Sequence, residues 1–190
     1  MKPKQYVGLI LVAVCAAMGP AQAADYSLEK GEHASVTFRF KHLGYSWLTG
    51  RFNKLDGQFS YDPADIGASK VEVTVDTASL DTNHAERDKH IRSDEYLDVE
   101  QFPTASFVST RIEDKGDGKM AVHGDLTLHG VTKPISFDAS LVGEGDDPWG
   151  GYRAGFQGAF VLNTKDFGME GFRPTHQVEM MLNIEGIRKK

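Results

Sequence analysis

The sequence holds one cysteine, Cys15, so no disulfide forms within the chain. Cys15 lies inside the one extended apolar run, Val7 to Met18, which is too short for a comfortable membrane span. There is no Gly-x-Ser-x-Gly, no phosphate-binding glycine loop and no His-Glu-x-x-His. Gly44-Tyr45-Ser46 begins like a nucleophile elbow, but Leu48 stands where the second glycine is needed. Positive charge is scarce too: 27 acidic residues face 21 basic ones, a net charge of −6 that argues against a general nucleic-acid binder. Helical periodicity is confined to one stretch.

The first residues read as an export signal. Lys2 and Lys4 precede the apolar run, and Ala21-Gln22-Ala23 follows as a small-x-small cleavage site. Val14-Cys15 is a poor lipoprotein site by comparison. Cleavage after Ala23 leaves residues 24–190 as a single domain with no thiol, and losing Lys2 and Lys4 takes the charge from −6 to −8. No nucleic acid, cofactor, metal or stable membrane span is expected, and a homodimer is left open.

Most of the remainder alternates with period two. Val36, Phe38 and Phe40 share a face, as do Val71, Val73 and Val75. Thr104–Ile112 changes phase between Ala105/Phe107 and Val108/Thr110/Ile112, which implies a bulge. Val122, Gly124, Leu126 and Leu128 continue the pattern beyond a turn at 114–119. After Gly130, Ile135, Phe137, Ala139 and Leu141 repeat it. A polar connection is expected over 143–151, then Phe156, Gly158, Phe160 and Leu162, and finally Val178, Met180, Leu182 and Ile184. About eight strands joined by short turns make an antiparallel meander. Its apolar face is hidden by closure into a barrel or by packing as a sandwich, with the barrel the more economical. The inward phase nominates Phe38, Phe40, Val73, Val75, Phe107, Leu126, Leu128, Phe137, Phe156, Phe160, Met180 and Leu182 as lumen lining. That lumen either is filled by its own side chains or holds one ligand.

Two stretches break the alternation. Residues 42–50 gather aromatics and glycines, and read equally as a packed strand corner or as a pocket rim formed by His42, Tyr45 and Trp47. Residues 82–96 read as the one helix, capped by Asn83 with Glu86, with Asp88–Arg92 and Glu86–His90 as pairs one turn apart. Its apolar face is thin (Ala85, Ile91, Tyr96, Leu97), so it should cover a barrel end beside an opening. His84 or His90 with Asp88 could form a general base, but the histidines are six residues apart, on different faces, and do not match a helical zinc pair. Structural ion pairing is the better reading, and no catalytic residue is assigned.

Asp81–His90 and Gly124–Pro134, together with His42–Trp47 and Gly145–Gly151, resemble the YceI family of exported lipocalin-like proteins. The resemblance runs over essentially all of residues 24–190. It implies an all-β, lipocalin-like antiparallel barrel with a helix near one open end. It implies a polyisoprenoid, an isoprenoid quinone or a similar amphiphilic lipid in the lumen, and a periplasmic protein linked to stress response without an established catalytic role. Such a ligand is physically reasonable, since each buried methylene contributes about 0.8 kcal/mol. The competing class is a hydrolase or isomerase acting on a small hydrophobic substrate.

Overall fold

A computed structural model describes residues 23–29, 33–171 and 176–190. The apolar run at the start of the chain lies outside these residues. The elements are β1 (Ala24–Leu28), β2 (Ser35–His42), β3 (Ser46–Phe52), β4 (Leu55–Tyr61), β5 (Lys70–Asp76), β6 (Leu80–Asp81), α1 (Ala85–Arg92), β7 (Thr104–Gly116), β8 (Lys119–Leu128), β9 (Val131–Asp146), β10 (Tyr152–Asn163) and β11 (Gln177–Arg188).

Eleven strands make only eight staves, because three staves are broken. β1 and β2 run in the same direction along β11, through Leu28↔Gly186 and Ser35↔Asn183. β3 then pairs with β2 while β4 pairs with β1, and β6 pairs with β3 while β5 pairs with β4. From β5 the order is β7, β8, β9, β10, β11, every neighbour antiparallel. The β1–β11 pairing closes the ring. The sandwich is thereby excluded and the meandering barrel established.

Turn chemistry explains how the staves reverse. Asp117-Gly118 and His129-Gly130 each have positive φ at both central residues, the primed geometry that matches strand twist. One barrel end carries the 43–45 turn, α1 and the 129–130 turn; the other carries both termini of the barrel and the 117–118 turn. Phenylalanine rings need room inside, and glycine supplies it. A Cβ at Gly124 would run into the Phe107 ring and the Val108 carbonyl oxygen.

Several expectations need correction. The helix spans Ala85–Arg92, shorter than 82–96, and its N-cap is His84, whose Nδ1 accepts from Arg87 N at 3.3 Å. Asn83 has φ of 63°, a left-handed conformation unlike the extended backbone of a cap, so the capping box does not form. Ala85 is exposed. β9 runs on to Asp146, because antiparallel pairing with β10 overrides the weak strand propensity of Gly143 and Gly145. Residues 42–50 are two strand ends around a three-residue turn. The β7 irregularity lies between Ser109 and Arg111, so Ile112 faces in while Val108 is exposed.

The break in the first stave is held by charge. The Glu29 carboxylate accepts from the Arg153 guanidinium and lies 2.6 Å from His33 Nδ1. Arg153 also reaches Glu185 at 2.6 Å and Asp147 at 2.9 Å. This joins the break to β10, β11 and the loop after β9. Hydrogen bonds from Arg153 and then His33 hold the Glu29 pKa at about 2, against an ordinary 4.5.

Two outcomes follow. Gly124→Ala should destabilise the fold by about 1–3 kcal/mol through overpacking. Gly143→Ala, where a Cβ meets nothing within 4 Å, should be nearly neutral. Equal denaturant midpoints for the two would refute the packing argument. For Glu29, a lowered folded pKa means a contribution fully present above about pH 4.5 and lost as pH falls toward about 2. Glu29→Gln should therefore flatten the stability profile in that window, read from urea midpoints at successive pH values. An acid limb as steep as the parent's would count against it.

Candidate functional site

The barrel interior is hollow. A cavity of about 210 Å³ runs from the α1 end toward the opposite turn. It exceeds the roughly 150 Å³ apolar cavity known to take up benzene in another protein. All twelve nominated residues line it. Register explains why. Val73↔Phe107, Phe107↔Leu126 and Met180↔Phe38 are cross-strand pairs, so one inward phase propagates round the ring.

Rings dominate the wall. Phe107, Phe137 and Phe160 follow one another with centroids 5.6 Å apart at each step. Phe38 lies 6.4 Å from Phe40 and 5.7 Å from Phe52. Phe156 meets Phe59 and Tyr61 edge-on at 5.5 and 5.0 Å. Offset and edge-on arrangements of this kind are the favoured aromatic geometries. Among the described residues, the lining includes no histidine and no carboxylate, and Lys70 is its one charged member.

The helix end is closed by residues that alternation could not find. Leu80, Ile91, Leu97 and Met169 come from a two-residue strand, α1 and connecting segments, yet all line the cavity. Ile91 and Leu97 pack in one buried cluster with Phe38, Leu128 and Met180. Ile91 and Leu97 belong to the thin apolar face expected to cover a barrel end, whereas the isolated Leu80 and Met169 carry no period and are revealed only by chain reversal over the barrel mouth. By contrast Val36, Val71, Val122 and Ile184 were on visible phases and belong to the same lining.

His42, Tyr45 and Trp47 are not part of the lining. They sit at an exposed hairpin that extends past the cavity. Of the two readings left open for residues 42–50, the rim is not borne out at His42, Tyr45 and Trp47: α1 borders the cavity, and of this hairpin only strand residues such as Phe38, Phe40 and Phe52 do.

The ionisable cluster on α1 has a structural use. The Asp88 carboxylate is buried and accepts from Thr82 N at 2.8 Å and Thr82 Oγ1 at 2.5 Å. Arg87 donates to the Thr82 hydroxyl at 2.7 Å and to its carbonyl at 2.6 Å. Arg92 donates to the Leu80 carbonyl. His90 lies 3.1 Å from Glu95 rather than pairing with Glu86. Asp88 is therefore a hook that fastens α1 to the strand before it, and the Asp88–Arg92 pair is replaced by two separate backbone attachments. The one group of metal-ligating type among the described residues, Glu29, His33 and Glu185, lies at the stave break and already binds Arg153.

The YceI-like domain family matches residues 26–186. The chain belongs to this family. A UPF0312 protein of Vibrio cholerae is 54% identical over 187 residues, covering 98% of this chain and 99% of that one. Another from Pseudomonas aeruginosa is 52% identical over 192 residues and covers the whole of both. The crystal structure of a Campylobacter jejuni YceI protein superposes with a TM-score of 0.70 at 26% identity, covering 80% of this chain and 91% of that one. A polyisoprenoid binding domain from Saccharophagus degradans, implicated in plant cell wall breakdown, gives a TM-score of 0.66 at 17% identity. It covers 88% of this chain and 100% of that domain, and at this identity the likeness establishes the fold alone.

In this YceI-like barrel, Asp88→Ala should leave the Thr82 donors without their acceptor. A cost of about 1–3 kcal/mol is expected. Amide exchange should rise first over α1, since the hook and not the barrel wall is lost. Faster exchange spread evenly over the strands, with α1 unchanged, would disprove the assignment.

Proposed function

We propose that this protein binds one long apolar chain, a polyisoprenoid or a similar amphiphilic lipid, in its barrel lumen and carries or stores it without chemical change. The observation that carries this reading is the division of residue types: rings and aliphatic groups line the cavity, while histidines and carboxylates lie outside its described lining. A dry channel favours a hydrocarbon tail and disfavours a charged substrate. The polyisoprenoid binding of the Saccharophagus domain and membership of the YceI-like family agree with it. The hydrolase or isomerase reading would need an acid–base pair at the substrate, and the described lining offers Lys70 and the Tyr61 hydroxyl with no histidine or carboxylate. The site of action in this proposal is the periplasm, after cleavage behind Ala23, with a part in stress response. The support for export is Lys2, Lys4, the short apolar run and Ala21-Gln22-Ala23.

Phe160 lines the cavity beside Phe137. Phe160→Asp sets an unpaired carboxylate in the channel and should strongly reduce retention of a polyprenyl lipid. Delipidated parent and variant are loaded with the lipid, repurified, extracted and weighed by mass spectrometry, with circular dichroism reporting the fold. The parent should return the lipid unchanged. A folded variant that retains as much as the parent would place the tail elsewhere, and a converted lipid would replace the carrier with an enzyme.

A further inference from the structure

The strands of the β2–β3 hairpin line the lumen through Val36, Phe38, Phe40 and Phe52, but its tip takes no part in it and displays large apolar side chains. Leu43, Tyr45 and Trp47 are 55%, 88% and 46% exposed. The tip is an ordered turn: Leu43 and Gly44 have positive φ, and Tyr45 N donates to the His42 carbonyl at 3.0 Å.

Charge around the tip departs from that of the chain. From Ala34 to Leu55 there are Arg39, Lys41, Arg51 and Lys54 but no acidic residue, although the whole protein carries −6. Other strands neutralise some of these cations. Arg39 pairs with Glu179 at 2.6 Å, Lys54 meets Asp76 at 3.6 Å, and Arg51 stands opposite Asp81 in register. Lys41 is the cation nearest the turn, with its ammonium 5.5 Å from the Trp47 ring centroid. Arg39 covers the same ring at 4.5 Å.

Tryptophan and tyrosine with an adjacent leucine suit the boundary between head groups and acyl chains, and lysine is attracted to an anionic membrane surface. We propose that the β2–β3 hairpin tip docks this protein on a bilayer bearing anionic lipid. A second copy of the chain fits less well: a two-fold contact through the tip would bring Lys41 toward its twin. The other barrel end supplies a contrast. Trp149 is 78% exposed there, but the exposed acids Glu144 and Asp146 accompany it and an anionic surface repels them, while Asp147 is already paired with Arg153. The bilayer is therefore met by the hairpin tip itself and not by the neighbouring α1 segment, which exposes Glu86, Asp94, Glu95 and Glu100. This docking rests on the hairpin alone and stands whether or not the lumen holds a lipid.

The test uses the exported chain with Trp149→Phe, so that Trp47 is the remaining indole. Vesicles of phosphatidylcholine are compared with vesicles of equal parts phosphatidylcholine and phosphatidylglycerol. Co-sedimentation with the anionic vesicles and a blue shift of Trp47 emission are expected. Lys41→Ala should weaken binding about fivefold, and high salt should weaken it further. Leu43→Ser with Tyr45→Ser should weaken it more than about tenfold, with circular dichroism unchanged. Absence of anionic-vesicle binding, or binding unaffected by the double serine variant, overturns the proposal. So does a dimer in sedimentation velocity that the double variant dissolves, since the tip would then serve a second copy.

Discussion

The structure depends on one constraint: an antiparallel sheet with a single apolar face must hide that face, and here it does so by meeting itself. β11 makes the join. Its residues 186–188 pair with β1 and its residues 179–183 pair with β2, so one strand seals two successive lengths of the first stave. Closure removes the exposed edges that an open sheet would present for aggregation. It also fixes every side chain's direction, because a slip of one residue would turn the whole inward set outward. The lumen is thus a consequence of the seam, whose β11 pairing passes from β1 to β2 between Leu28 and Ser35. Arg153 spans that break from β10, joining Glu29, Glu185 and Asp147, at low exposure where ion pairs with several hydrogen bonds count for more than scattered surface pairs.

What could be read from the sequence was whatever repeats with period two. Phe38, Val73, Phe107, Leu126, Phe160 and Met180 announce their direction by their neighbours, and all face the cavity. What could not be read was whatever depends on chain reversal or on tertiary pairing. Leu80 and Met169 are isolated apolar residues that become lining only because their segments fold over the mouth, whereas Ile91 and Leu97 showed as the apolar face of the helix. Val108 has the composition of a core residue but lies on the outer phase ahead of a bulge. Asn83 looks like a cap until the backbone is seen to take it left-handed, leaving the role to His84. The hairpin at 42–50 stayed open for a related reason: aromatics mark packed corners, pockets and exposed tips alike, and local sequence does not distinguish them.

The polar chemistry is equally divided by the fold. Thr82, Arg87 and Asp88 satisfy one another where the chain leaves the barrel, so a motif dense in catalytic residue types works as a fastening. Desolvating a carboxylate costs free energy unless hydrogen bonds compensate, and Asp88 has two from Thr82 alone. The Glu29 cluster likewise uses its charge on Arg153. These two clusters of titratable groups therefore lie where staves are interrupted, and the inner face of the wall is left mainly to apolar side chains.

That division bears on how such a lumen could discriminate between ligands. A site built on hydrogen bonds rejects a molecule lacking the matching group, whereas an apolar site gains or loses only a modest amount for each methylene. With Phe107, Phe137 and Phe160 in sequence along the wall, selection under the proposed carrier role would act on length and cross-section more than on functional groups. The glycines tighten that selection. Gly50 and Gly124 leave room for the Phe38 and Phe107 rings, so the rings lie back against the wall and the channel stays open between them. Larger residues at those positions would push the rings inward and narrow the channel before disturbing its polarity. The bore of the barrel is thus set by backbone positions that no ligand touches, and ligand range should follow those glycines more closely than any single lining residue.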